Sequence, residues 1–143
     1  MSATHETNRR RLLAKLRLSA VVLAVAMWFT ACQPPLDVSL ASQQESLPSP
    51  AFEVKDPGSV HARFNTVEVM DKSGKVVWRV RSEPLSAQTS LARVAYGQQP
   101  AGLITVIPPA PLERGGEYTI HVLGLAEGAL RFRVDDTGTV HPL

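Results

Sequence analysis

Apolar side chains in the C-terminal two thirds of the chain recur at every second position. Val76, Trp78 and Val80 fall on one side of an extended segment, and Val77, Arg79 and Arg81 on the other. A period of two marks a half-buried strand. The same alternation puts Val67 and Val69 on one face of residues 64–70, and sets Tyr118, Ile120 and Val122 against Thr119, His121 and Leu123. It also sets Leu130, Phe132 and Val134 against Arg131 and Arg133. Residues 91–96 and 103–107 supply two more strands, and Val140 a short last one. Asp71-Lys72-Ser73-Gly74 reads as a hairpin turn, with Gly74 free to take positive φ. Pro108-Pro109-Ala110-Pro111 marks a crossover or an edge, because proline donates no hydrogen bond to a central ladder. No window beyond Cys32 carries a helical period of about 3.6. Short strands at turn-punctuated intervals predict an all-β fold, a single antiparallel β-sandwich over residues 51–143, with a small open barrel as the alternative.

A different pattern opens the chain. Arg9, Arg10, Arg11, Lys15 and Arg17 precede an apolar run over residues 18–31, which stops at Phe29-Thr30-Ala31-Cys32 and is followed by Gln33-Pro34-Pro35. Cys32 is the single cysteine. The run is about 14 residues long, short of the roughly 20 that a membrane-spanning helix needs, and two prolines close it. An ordinary secretory cut after Ala24-Val25-Ala26 would leave an apolar region of only about six residues, below the usual 7 to 15. The order of charge, apolar core, small residues and cysteine resembles a bacterial lipoprotein signal. Phe29 stands where that family usually carries Leu. The resemblance implies a signal peptide over residues 1–31, cleavage after Ala31, and acylation of Cys32, so that a covalent lipid is the only prosthetic group expected. Gln33 in place of Asp implies sorting to the outer membrane, on its periplasmic face. Arg9-Arg10-Arg11-Leu12-Leu13 also resembles a twin-arginine export signal, although a charged start for general secretion is the simpler account and the one expected.

Residues 33–50 are dominated by Pro, Ser and Gln, and this composition predicts a flexible tether over 32–50 that holds the domain away from the bilayer. Further on, Leu112-Glu113-Arg114-Gly115-Gly116-Glu117-Tyr118 resembles the tyrosine corner of immunoglobulin-like and fibronectin type III domains. That resemblance implies that the Tyr118 hydroxyl bonds back to nearby backbone and that Trp78 is the core tryptophan of the third strand. The spacing from Val94-Ala95-Tyr96-Gly97 through Pro108 and Gly115 to Tyr118 is similar to uncharacterised small lipoproteins of proteobacteria, which bring an address and a fold but no activity.

Charge changes the picture once the leader is set aside. The chain has 15 basic and 13 acidic side chains; removing residues 1–31 leaves 10 against 12, a net charge of −2. The basic pI therefore argues nothing for nucleic acid. With Cys32 acylated, no thiol remains for a disulfide, a nucleophile or a thiolate metal site. His61, His121 and His141 are too far apart in sequence for a zinc motif, and no metal is expected. Asp135-Asp136-Thr137-Gly138 lacks the alternating acidic ligands of a calcium loop and reads as a turn. Ser86, Thr89 and Ser90 have no nucleophile elbow around them, and Glu113 with Glu117 lacks any second feature of a glycosidase pair.

Two candidate surfaces remain. Arg79, Arg81, Arg131 and Arg133 all lie on outward strand faces, and form one anion-binding patch if their two strands are neighbours. Tyr96, Gly97, Gln98, Gln99 and Pro100 form an exposed loop suited to recognition. The expected function is a non-catalytic binding or scaffolding lipoprotein whose partners are the membrane and an envelope protein or polymer. The competing expectations are a small periplasmic hydrolase or sugar-handling enzyme, and a structural spacer.

Overall fold

The computed structural model describes residues 33–143. Ten strands, and no helix among the described residues, make two antiparallel sheets packed face to face as a β-sandwich: β1 (Asp37–Leu40), β2 (Ala51–Lys55), β3 (Arg63–Asp71), β4 (Val76–Arg81), β5 (Thr89–Ser90), β6 (Arg93–Ala95), β7 (Ile104–Ile107), β8 (Glu117–Gly124), β9 (Gly128–Val134) and β10 (Val140–Pro142). The small sheet has the order β1-β2-β6, and the large one β10-β9-β8-β3-β4-β7, with β5 paired to the start of β3. Within them, β9-β8-β3-β4 facing β1-β2-β6 is the strand order of an immunoglobulin-like sandwich. The alternation explains the packing: Val67, Val69, Trp78, Val80, Ile120, Val122, Phe132 and Val134 point inward with no exposed surface. Phe52 reaches them from the small sheet, its ring 5.2 Å from that of Phe132.

Two hairpins are closed by the same chemistry. At Asp71 the carboxylate Oδ1 accepts from the Ser73 amide (2.9 Å), the Ser73 hydroxyl (2.6 Å) and the Lys75 amide (3.0 Å). At Asp135 it accepts from the Thr137 amide (2.9 Å), the Thr137 hydroxyl (2.6 Å) and the Thr139 amide (2.9 Å). The fourth residue of each turn is glycine at positive φ, 85° at Gly74 and 91° at Gly138, where a side chain would be strained. Tyr118 forms the expected corner: its hydroxyl accepts from the Glu113 amide at 2.9 Å. Pro108-Pro109-Ala110-Pro111 lies outside any strand and carries the chain from β7 to β8.

Three expectations need correction. The predicted tether over 32–50 belongs to the fold in its described part: β1 pairs with β2 through Asp37↔Lys55 to Leu40↔Phe52, and Leu36 and Val38 are core residues. Polar composition hid a strand whose alternation spans only four residues. The loop that follows is held by Glu45, whose carboxylate accepts from the Ala51 amide at 2.7 Å and whose carbonyl accepts from the Val140 amide at 2.8 Å. Trp78 is fully buried, yet it stands on β4; the third strand contributes Val67 and Val69 instead. The Trp78 ring meets Tyr96 edge-on at 5.2 Å, and its Nε1 has no hydrogen-bond partner among the described residues. Tyr96 is not part of an exposed loop. It is 3% exposed, and its hydroxyl donates to the Ala110 carbonyl at 2.6 Å. Burial, with a smaller contribution from Tyr118, pushes its phenol up to about 12. Gly97, Gln98 and Gln99 are exposed as expected.

Candidate functional site

The four arginines share the outer face of the large sheet but not a patch. Between β4 and β9 lie β3 and β8, and at about 4.8 Å per strand the two pairs stand roughly 14 Å apart. The intervening positions are also charged. Glu68 stands directly opposite Arg79, and accepts from its Nε at 2.9 Å and its Nη2 at 2.7 Å. Arg131 approaches Glu117 at 3.8 Å, and Lys72 approaches the same carboxylate at 3.5 Å. Arg79 is therefore tied down within the sheet, whereas Arg131, sharing Glu117 with Lys72 at longer range, stays exposed. Arg81 and Arg133 have no carboxylate within ion-pair distance among the described residues, and they lie at opposite ends of the face. The alternation placed all four side chains correctly; strand order, which no local pattern encodes, separated them.

A cleft of about 660 Å³ opens where the edge of the small sheet meets β9 and β10, lined by Ser39, Leu40, Ser42, Leu130, Val140 and His141. On its rim His141 Nε2 lies 2.9 Å from Asp135 Oδ2. The Asp135 carboxyl is held well below the usual carboxylate range, first by the Thr137 hydroxyl and then by His141, with burial opposing. This pairing follows from the hairpin: Gly138 turns the chain, and His141 comes opposite Arg133. The spacing Asp-x5-His across a turn ending in glycine was the available signal. The Ser42 hydroxyl is committed elsewhere, donating to Glu45 Oε1 at 2.9 Å.

At one end of the sandwich the loops β2–β3, β4–β5 and β8–β9 come together, because β3 starts where β8 and β4 finish: Phe64 pairs with Gly124, and Asn65 Nδ2 donates to the Leu85 carbonyl at 3.1 Å. A recess of about 440 Å³ sits here, lined among others by Asp37, Lys55, Asp56, Ser59, Val60 and His61. Lys55 pairs with Glu53 at 2.9 Å, and that contact raises the pKa of its ammonium. His121 lies on the outer face between Glu68 and Ala129. Among the described residues no cluster of three or more His, Cys, Asp or Glu is arranged to hold a metal, and no helix is long and apolar enough to cross a membrane. The expected lipidation residue Cys32 and the cleavage residues Phe29, Thr30 and Ala31 lie outside the described residues. No protein-family model matches the chain, and neither a curated protein nor a solved structure is similar to it.

Proposed function

We propose that the chain is a lipoprotein of the outer membrane, held by acyl groups on Cys32, whose β-sandwich stands in the periplasm and binds or scaffolds an envelope protein or polymer without catalysing a reaction. The observation that carries this reading is the order of the first residues: five basic side chains, an apolar run too short to span, Thr30 and Ala31, then the sole cysteine. One fatty chain binds a bilayer only marginally, whereas the two or three carried by an N-terminal lipoprotein cysteine anchor it stably. On the outer sheet face, Arg81, Arg131 and Arg133 are side chains with charge to offer a carboxylate or phosphate partner.

The anchor is tested by growing cells on radiolabelled palmitate. Label is expected in the wild-type protein and not in Cys32→Ser, with the variant absent from the membrane fraction. A wild-type product that takes up no label defeats the reading.

A second reading, a small hydrolase or sugar-handling enzyme, draws on the His141–Asp135 pair beside the cleft. It is the weaker one, because among the described residues no serine or threonine hydroxyl is hydrogen-bonded to the imidazole, as activation of a nucleophile would require.

A further inference from the structure

We propose that the end of the sandwich at which the chain enters the fold rests on the phospholipid bilayer, with Val60, Leu85 and Leu125 dipping into the lipid interface. The proposal rests on the lipid anchor at Cys32 and adds an orientation to it. Pro34 lies against the β2–β3 loop, its Cγ 3.4 Å from where a Cβ on Gly58 would sit. Two residues later the Leu36 amide donates to the Glu127 carbonyl of the β8–β9 loop at 2.9 Å. Only Gln33 separates Pro34 from Cys32, so an extended chain between them spans roughly 7 Å. An acylated Cys32 thus leaves no slack for the domain to lift away or turn over. Whatever surrounds Pro34 is brought to the membrane surface.

The side chains found there suit that surface. Val60 is 92% exposed, Leu125 68% and Leu85 51%. Singly, exposed aliphatic residues are ordinary; here they come from three separate loops at one end of the molecule. Charge at this end does not favour an electrostatic attachment. Asp37, Asp56, Glu83 and Glu127 outnumber Lys55, Arg63 and Arg81, so the end as a whole carries no net attraction for an anionic headgroup. The occupant is therefore the neutral phospholipid interface, entered by apolar tips.

The full-length acylated protein is reconstituted into phosphatidylcholine vesicles as three variants, Val60→Cys, Leu125→Cys and Lys72→Cys, each labelled with an environment-sensitive fluorophore. Acylation of Cys32 leaves the introduced thiol as the only one to label. Lys72, in the turn at the opposite end, is the control. Labels at 60 and 125 are expected to shift to the blue, and to be quenched by spin-labelled lipid several-fold more than the label at 72, with no loss at high salt. Vesicle flotation is read on the same samples. Protein that floats while all three labels stay equally aqueous overturns the orientation and leaves the anchor standing; that end would then be free for a protein partner. Protein that does not float overturns the anchor, and the orientation with it.

Discussion

Asp71 and Asp135 illustrate what a single residue fixes in this fold. Each carboxylate collects two amides and a hydroxyl from its own turn, and each is held below its ordinary value, with the Ser73 hydroxyl the leading cause at Asp71 and the Thr137 hydroxyl, then His141, at Asp135. The sign of the consequence follows. A carboxyl depressed in the folded state contributes stability that is present above its unfolded pKa, about 3.9, and is lost as pH falls through the folded value. Unfolding by urea is therefore expected to be insensitive to these groups above about pH 5, and to become easier from roughly pH 4 downward. Asp135→Asn keeps an accepting oxygen in the turn but removes the charge, so its stability should fall less between pH 7 and pH 3 than that of the wild type. Parallel losses in the two proteins would refute the assignment. Both turns were legible as Asp-x-Ser/Thr-Gly, and so was the corner at Tyr118, because each is a local device whose donor, acceptor and glycine lie within five residues. His141 was legible only in part: the Asp-x5-His spacing stands in the sequence, but the pairing needs the register of β9 and β10.

At the scale of the element, β1 is where local pattern and tertiary structure part. Its sequence, Asp-Val-Ser-Leu, offers two apolar positions in a polar neighbourhood, yet Leu36 and Val38 are each 5% exposed. They pack at the start of β9, where a Cβ on Gly128 would run into the Leu36 carbonyl oxygen and come within 2.9 Å of Val38 Cγ2. Pairing of this kind is long-range and leaves no trace in the segment itself. Leu36→Ala should destabilise the domain by about 2 to 5 kcal/mol through lost burial and the cavity left behind. Gln43→Ala, on the exposed loop after β1, should change stability by no more than about 0.5 kcal/mol. Equal urea midpoints for the two would return residues 33–50 to the role of a tether. The same limit governed the arginines: β4 and β9 were both correctly read as strands with basic outer faces, but their neighbours, β3 and β8, are chosen by the packing of the whole sheet. The strand at 103–107 is present as β7, and its status as an exposed edge, with Ile104 36% and Val106 41% exposed, again belongs to sheet order and not to its own pattern.

For the whole molecule, the decisive relation is between where the chain enters and where the apolar loop tips lie. Fully burying one aliphatic side chain contributes about 1.5–3 kcal/mol, and loop tips at a lipid interface are buried only in part. Against them stands the loss of rigid-body freedom on binding, about 4–15 kcal/mol. Three tips therefore do not hold the domain on a bilayer unaided; the anchor bears that cost, and the short link from Cys32 to Pro34 keeps the tips at high local concentration. Lengthening the link separates the two contributions. Ten Gly and Ser residues inserted between Gln33 and Pro34 add a root-mean-square span of about 17 Å, enough for the domain to leave the surface while acylation is untouched. Vesicle flotation should persist, and lipid quenching of a fluorophore at Val60→Cys should drop several-fold toward that of the Lys72→Cys control. Undiminished quenching would mean that the loops hold the membrane by themselves, in which case unacylated Cys32→Ser protein must also float.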